Sequence, residues 1–227
     1  LTAMVLFQLR RIPFDPPSEP KKTDFKPSLA FPEAGLGRKQ FYLAAGGAFA
    51  AFAMFSLYAS LAGSFIADFL PWHGPAISGS AIAMVLFLSS LTQLSLRRLS
   101  LAKTYLAATV MILMANVLLV LTLHLHSVIL FALSVVATAM AHGLALMAGF
   151  GKVQEVTHRH NRAAVVSTFL VAGYCGSIFP VIALGWLADH LGIITAVTLY
   201  CAAFMVWAIA LFSGFVYLKR CRHALSI

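Results

Sequence analysis

Long apolar runs separated by short polar connections form the main pattern of this chain. Residues 41–66, 163–187 and 193–218 are almost entirely apolar, and a fourth run begins after Pro75 and ends near Leu96. A helix of about 20 apolar residues crosses a hydrocarbon core of about 30 Å. Each of these four runs therefore predicts one transmembrane helix.

The stretch between Lys103 and Lys152 predicts two further helices. It contains 48 residues without a formal charge. A single helix of that length would measure about 72 Å, roughly twice the thickness of the hydrocarbon core. We therefore predict two spans joined by a turn at residues 124–127, which gives six transmembrane helices in all.

Basic residues occupy every second connection between the predicted helices. Seven Lys and Arg lie in residues 10–40, three in 96–103, three in 152–162 and three in 219–227, and the alternate connections have none. Because short cytoplasmic loops carry the excess of Lys and Arg, this asymmetry gives the chain a direction. It predicts a multi-pass protein of the cell (inner) membrane with both ends in the cytoplasm.

The composition agrees with an all-α, polytopic membrane bundle and excludes an ordinary soluble domain. Hydrophobic residues make up 61% and charged residues 10% of the chain, against roughly 25% charged in a typical soluble domain. The net charge of +9 is explained by the basic connections, so we do not predict a nucleic-acid partner. Membrane lipids are the expected partners, since these basic residues can contact anionic headgroups.

The chain divides into four parts on this pattern. Residues 1–9 look like the end of a truncated transmembrane helix, and residues 10–40 form a basic cytoplasmic linker that holds six of the nine prolines. Such a proline-rich segment cannot bury a core and is expected to be extended. Residues 41–218 are the six-helix bundle and residues 219–227 a cytoplasmic tail. We interpret the chain as the C-terminal part of a longer protein.

No enzyme, cofactor or metal site is predicted. Cys175, Cys201 and Cys221 are not spaced for a zinc or haem site and are interpreted as small apolar fillers. The two His-x-His pairs, at 124–126 and 158–160, lack the third and fourth ligands that define a metal site. The apolar spans contain neither a Ser/His/Asp trio nor a pair of carboxylates.

A proline-rich basic linker followed by six spans resembles the C-terminal half of a major facilitator superfamily transporter. The fifth span adds detail that resembles bacterial drug-exporter-like members, namely Glu155, Thr157, Asn161, Arg162, Ser167, Gly173, Tyr174, Gly176, Ser177, Pro180 and the run from Gly185 to Gly192. In that family, two six-helix halves rock about a central site. The resemblance implies a secondary transporter of a small organic solute, coupled to protons and favouring efflux as an antiporter. It also implies a missing N-terminal six-helix half as a partner.

Two segments bear on the cytoplasmic gate that the resemblance implies. Residues 185–192 match the family's Gly-x-x-x-Asp-x-x-Gly pattern, but no basic residue follows them, so we interpret them as a helix-ending turn on the outside. The connection at 96–103 keeps Arg97 and Arg98 but lacks the Gly and Asp. Glu155 either pairs with Arg97 or Arg98 as a substitute lock or forms an i,i+4 pair with Arg159. The local pair with Arg159 is favoured.

His142 is the leading candidate for function because it is the one ionisable side chain well inside a predicted span. Helical spacing places it on one face with Ser134 and Thr138, followed by small residues at 145 and 149. Such a face either lines a cavity, where His142 binds solute or exchanges protons, or buries a neutral imidazole against another helix. Asp68, at the outer end of the first span, is a second proton-coupling candidate, although a solvated interface residue is the more common finding at such a position.

Further polar residues are predicted to line the solute path. On the first span these are Ser56 and Ser60, although their small-residue face also suits close helix packing, which is favoured. Gln93, on one face with Ser89, is placed near the cytoplasmic mouth, and Asn116 is expected to form a hydrogen bond between helices. Tyr174 and Ser177 complete the predicted path. The rival hypothesis is a six-helix membrane scaffold or assembly protein, in which these polar faces only pack.

Overall fold

The computed structural model describes residues 29–69 and 75–224, without the side chains of residues 61–69, 75–78, 80–81 and 222–224. The predicted helix end at residues 1–9 and the linker residues 10–28 lie outside this description. Within it the chain is helical, with no strand, and forms one bundle. The helices are α1 (Leu36–Phe69), α2 (Pro75–Ser95), α3 (Leu101–Leu125), α4 (Val128–Val156), α5 (Arg162–Leu191) and α6 (Ile193–Ala224), with a 3-10 turn at Arg159–Asn161.

The helices have the length and composition of membrane-spanning segments. In the part of the chain that the structure describes, five candidate spans are long and apolar enough to cross a membrane, namely Leu36–Ser60, Leu101–Leu125, Val128–Val156, Arg159–Leu191 and Ile193–Cys221. In α2 the described apolar stretch, Ile82–Ser95, is shorter. The prediction of an all-helical bundle with membrane-spanning helices is therefore confirmed at this level.

The predicted turn between the third and fourth helices is present where the sequence placed it. α3 ends at Leu125 and is capped by His126, whose φ of 47° is in the left-handed region. Ser127 then caps α4, because its hydroxyl accepts a hydrogen bond from the Leu130 amide at 3.5 Å. A left-handed C-cap followed by a Ser N-cap satisfies backbone groups that both helix ends leave open.

Other helix boundaries differ from the prediction. α1 begins at Leu36, inside the predicted linker, directly after Gly35 with its φ of 119°. The fifth apolar run was predicted to end at residue 187, but α5 continues to Leu191 and includes Asp189 and His190. The chain turns instead at Gly192, whose φ of 80° is a conformation that glycine adopts readily.

Successive helices run in opposite directions, and this gathers the basic residues at one end of the bundle. Gly37 near the start of α1 lies beside Val156 at the end of α4, and Leu101 at the start of α3 contacts Gly151 of α4. We call this the basic end. Its described Lys and Arg residues are Arg38, Lys39, Arg97, Arg98, Lys103, Lys152, Arg159, Arg162, Lys219 and Arg220.

α1 is the central helix and contacts each of the other five. It presents small buried side chains at Ala44, Ala48, Ala50, Ala51 and Ala53, which let neighbouring backbones approach closely. α3 and α6 pack against each other on one side of α1, whereas α2 and α5 make no contact with each other in the described residues. A groove therefore remains between α2 and α5, with α1 and α4 beneath it.

Three aromatic side chains tie α1 to α3 and α6 by hydrogen bonds to its backbone. The hydroxyls of Tyr105 and Tyr200 donate to the carbonyls of Leu43 (3.1 Å) and Ala53 (2.8 Å), and the Trp207 indole donates to the carbonyl of Gly46 (3.1 Å). These residues were absent from the predicted polar positions. A buried Tyr or Trp needs a partner for its polar atom, so each is a signal that the sequence analysis missed.

The segment before α1 is folded onto the basic end of α5. The Thr168 hydroxyl accepts a hydrogen bond from the Ala30 amide at 3.0 Å and lies 2.8 Å from the Ala30 carbonyl, to which it donates. The Arg38 guanidinium donates to the Pro32 carbonyl at 3.0 Å. The last residues of the predicted linker are thus fixed to the bundle.

Candidate functional site

His142 lies at the middle of α4 and is bound to α2. It is 14 residues from either end of Val128–Val156, or about 21 Å along the axis. Its Nδ1 shares a hydrogen bond of 2.9 Å with the Ser89 hydroxyl of α2. The next residue, Gly143, permits this approach, because a Cβ atom there would lie 2.5 Å from the Ser89 carbonyl oxygen.

Aromatic rings from α1 and α5 extend the site around the imidazole. The ring centroids of Phe52 and Phe55 lie 5.1 and 5.5 Å from that of His142, and Tyr174 contacts Phe52 at 5.4 Å in an edge-to-face arrangement. We call the set Phe52, Phe55, Ser89, His142 and Tyr174 the histidine cluster. Four different helices contribute to it.

The histidine cluster lies at the groove between α2 and α5. His142 itself is only 6% exposed, whereas Tyr174 on the wall formed by α5 is 55% exposed. Ser177, one turn along α5, is half-buried, and its hydroxyl lies 3.5 Å from the Phe52 carbonyl, a weak hydrogen bond. Ser56 of α1 is also half-buried. His142, Tyr174 and Ser177 thus lie around Phe52, and Ser56 is one turn further along α1.

The rest of the polar face of α4 is buried against α1. Ser134 and Thr138 are fully buried, and the Tyr58 hydroxyl of α1 donates to Ser134 at 2.8 Å. Ser134 in turn donates to the Phe131 carbonyl of its own helix at 2.7 Å. In the described structure these two positions pack between helices and do not border the open groove.

The remaining predicted path residues are separated from the histidine cluster. Ser60 is exposed and donates to the Leu57 carbonyl of its own helix at 3.0 Å. Gln93 is half-buried, one turn beyond Ser89 towards the basic end. The Asp68 side chain lies outside the described residues.

Asn116 differs from the interhelical hydrogen bond that the sequence suggested. Its amide nitrogen donates to the Ile112 carbonyl, one turn earlier in α3, at 2.8 Å. The Oδ1 atom is buried without a hydrogen-bond partner in the described structure. Ile112 and Ala115 of the same helix belong to a buried cluster with small side chains of neighbouring helices, including Ala53 and Ala137.

The ion pair of Glu155 also differs from both predicted alternatives. Lys152, three residues earlier on α4, donates to the Glu155 carboxylate. The i,i+3 positions of a helix face each other, whereas α4 ends at Val156 and Arg159 lies beyond it in the 3-10 turn. Arg97 and Arg98 are exposed in the connection after α2, and the predicted gate pairing with Glu155 is not formed.

Phe52, Phe55 and Tyr58 are site residues that the sequence analysis did not single out as such. Their rings lie on α1 beside the face that carries Ser56 and Ser60. Aromatic side chains are common in apolar helices and in cores, so their spacing alone does not identify them. Only the packing of α1 against α4 shows that they surround His142 and Ser134.

The chemistry available at the histidine cluster is hydrogen bonding, proton exchange at an imidazole, and aromatic packing. The described residues include no group of three His, Cys, Asp or Glu side chains placed to hold a metal ion. The His158 and His160 rings stack at 6.4 Å, and the His158 imidazole lies 3.4 Å from the Glu33 carboxylate at the surface.

Comparison of the chain with protein-family models, curated proteins and solved structures finds no match.

Proposed function

We propose that this chain is one six-helix half of a secondary transporter that moves a small organic solute across the cell (inner) membrane by alternating access. The observation that carries the proposal is the histidine cluster. An ionisable side chain in the middle of a membrane-spanning helix is costly, and such residues commonly mark solute or proton pathways. Here it lies beside the groove and contacts side chains of α1 and α2, and Tyr174 of α5 reaches it through Phe52.

The chemistry of the groove favours an aromatic or amphipathic solute of low charge. Its described polar groups are an imidazole and the hydroxyls of Ser56, Tyr174 and Ser177, and its apolar surface is provided by Phe52 and Phe55. Aromatic rings bind such solutes by stacking and edge-to-face contacts. Efflux is the proposed direction, with His142 exchanging a proton as the coupling group.

A second six-helix unit would complete the site. The two helices on either side of the groove carry exposed apolar side chains, including Phe87 of α2 and Ile178 and Ile182 of α5. In the proposed mechanism the N-terminal half covers this face and supplies the other half of the solute site. The basic end is proposed to face the cytoplasm, because Lys and Arg concentrate there.

The alternative is a membrane scaffold without a solute path. The burial of Ser134 and Thr138 against α1 favours it, since these side chains serve helix packing. In a scaffold, the histidine cluster would likewise be a polar contact between α2 and α4. The two functions differ in whether water reaches the groove.

Cysteine labelling separates the two functions. With Cys175, Cys201 and Cys221 replaced by Ala, Tyr174→Cys in native membrane vesicles should react with a small charged methanethiosulfonate reagent. The matched control is Val206→Cys on α6, whose parent side chain is 68% exposed but lies on another helix; it should face lipid and stay unlabelled. Equal inertness of both positions would favour the scaffold and count against the transporter.

Proton coupling is tested in the same vesicles through pH. After normalisation to the reaction of the reagent with free cysteine, labelling of Tyr174→Cys should change as the pH is lowered from 8 to 4, because protonation of His142 alters the cluster that Tyr174 contacts through Phe52. His142→Ala should abolish that dependence. His124→Ala should preserve the pH dependence, because it removes an exposed imidazole at the end of the bundle opposite the basic end. An unchanged profile in His142→Ala would refute the proton role.

A further inference from the structure

A second cavity lies at the basic end, between α1, α3, α4 and α6. Its volume is about 430 Å³, within the range of about 300–1,000 Å³ that is typical of small-molecule sites. Its apolar walls are formed by Leu43, Ala44, Leu101, Ala102, Ala148, Phe215 and Leu218. None of its lining residues belongs to the histidine cluster, so it is a separate site.

The buried aromatic wall of this cavity presents no free hydroxyl. Tyr105 is 9% exposed, stacks on Phe215 with ring centroids 5.0 Å apart, and donates its hydroxyl to the Leu43 carbonyl. The ring therefore presents its apolar surface to the space beside it. A polar solute beside these rings would find no free hydroxyl to bond to. A hydrocarbon chain has no hydrogen bonds to give up when it leaves water, so it can enter without that cost.

The remaining lining residues bring charge to the cavity, with an excess of positive charge. Lys152 and Lys219 line it together with Glu155 and Gln40. Glu155 is paired with Lys152, while Lys219 is exposed and has no ion-pair partner among the described residues. The combination of apolar walls with a lysine that is not neutralised is complementary to an anionic amphiphile.

The position of the cavity along the helices identifies the source of such a ligand. It is built from the first turns of α1 and α3 and the last turns of α4 and α6, where the apolar spans give way to the basic residues. At that level lysine stems lie along apolar surface while their ammonium groups reach the headgroup region. Acidic lipids supply the negative charge of the cytoplasmic leaflet, and basic pockets between membrane helices bind their headgroups.

We infer that this cavity binds an acidic phospholipid of the bilayer, with an acyl chain against Tyr105 and Phe215 and the headgroup phosphate at Lys219 and Lys152. The inference does not depend on the proposed transport function. It concerns a different set of residues, nearer the basic end, and a scaffold protein would carry the same site.

The test uses the full chain in nanodiscs of phosphatidylcholine that contain a minor fraction of phosphatidylglycerol. Lipid that stays with the protein after extraction into mild detergent is identified by native mass spectrometry. Phosphatidylglycerol should be enriched over its bulk fraction, and Lys219→Gln should weaken its retention about fivefold. Arg220→Gln is the matched control, because it removes the same charge from the neighbouring residue, which does not line the cavity.

A second variant tests the cavity itself. Ala102 lines the cavity but is exposed at the bundle surface, so Ala102→Phe should fill the space without disturbing the core. It should reduce phosphatidylglycerol retention while leaving the thermal unfolding midpoint in phosphatidylcholine unchanged.

The inference would be overturned by retention of phosphatidylcholine at its bulk ratio, by equal losses in Lys219→Gln and Arg220→Gln, by full retention in Ala102→Phe, or by displacement of the lipid by millimolar inorganic phosphate. The last result would indicate a small-anion site in place of a lipid site. Displacement by oleate at equal concentration would indicate a fatty-acid site and would also reject the phospholipid.

Discussion

Gly176 of α5 lies directly against the backbone of α1 at Phe49, and replacing it with Ala should separate these helices. A Cβ atom at position 176 would lie 2.8 Å from the carbonyl carbon and 2.9 Å from the Cα of Phe49, and closer still to the Phe49 carbonyl oxygen. All three atoms are backbone, so no side-chain rotation can relieve the contact. α1 must move away, or α5 must bend.

The free-energy cost of Gly176→Ala follows from the distance by which the two helix backbones must separate. Ordinary carbon contacts lie at about 3.5–4.0 Å, so the two backbones must separate by roughly 0.5–1 Å. A gap of that size forfeits a quarter to a half of each van der Waals well along the contact. Overpacking of this kind costs about 1–3 kcal/mol, or roughly a five- to 150-fold change in the folding equilibrium.

Gly185→Ala is the matched control for this measurement. Gly185 lies on the same helix, and no heavy atom would come within 4 Å of a Cβ atom there. Both substitutions gain the same helix propensity, about 0.8–1.0 kcal/mol over glycine. Their difference in the free energy of unfolding therefore isolates the contact with Phe49.

Equilibrium unfolding in mixed micelles, followed by circular dichroism during titration with dodecyl sulfate, gives that difference. Gly176→Ala should be less stable than Gly185→Ala by about 1–3 kcal/mol. If the two variants unfold together within about 0.5 kcal/mol, the close contact of α1 with α5 is refuted, and with it the position of Phe52 between His142 and Tyr174.

Two further predictions concern polar groups. Asn116→Leu should leave the free energy of unfolding unchanged or raise it by up to about 1–3 kcal/mol, because it removes a buried Oδ1 that lacks a hydrogen-bond partner in the described structure. A decrease of more than about 1 kcal/mol in the free energy of unfolding, measured in the same titration, would contradict this cost of the unpaired Oδ1. Thr168→Val should speed hydrogen–deuterium exchange of the Ala30 amide about fivefold, because that amide loses its acceptor, a bond worth about 1 kcal/mol. Ser167→Ala, whose hydroxyl bonds only to the Ala163 carbonyl of its own helix, should leave that exchange rate unchanged, and an equal effect of both variants would contradict the role of Thr168.

The candidate site was predictable only in part. His142 could be identified because an imidazole among Leu, Val and Ala is conspicuous, and Tyr174 and Ser177 followed from the resemblance to a transporter. Phe52 and Phe55 could not, since an apolar helix contains such rings on every side and only the orientation of α1 selects these two. Ser134 was predicted to line the solute path; in the described structure it is buried and accepts a hydrogen bond from the Tyr58 hydroxyl.

The sequence by itself predicted six helices and the gathering of the basic residues at one end of the bundle. Span length and the alternation of Lys and Arg are properties of position along the chain, so they can be evaluated without reference to any neighbouring helix. The turn at His126 and Ser127 was predictable too, because the uncharged stretch around it is too long for one span.

The tertiary structure alone decided which helix faces meet. Lipid is as apolar as the side chains, so hydrophobicity does not distinguish one helix face from another. Close backbone contacts and side-chain hydrogen bonds determine which helices pack together. The close contacts are at Gly143 and Gly176, and the hydrogen bonds come from Tyr105, Tyr200 and Trp207.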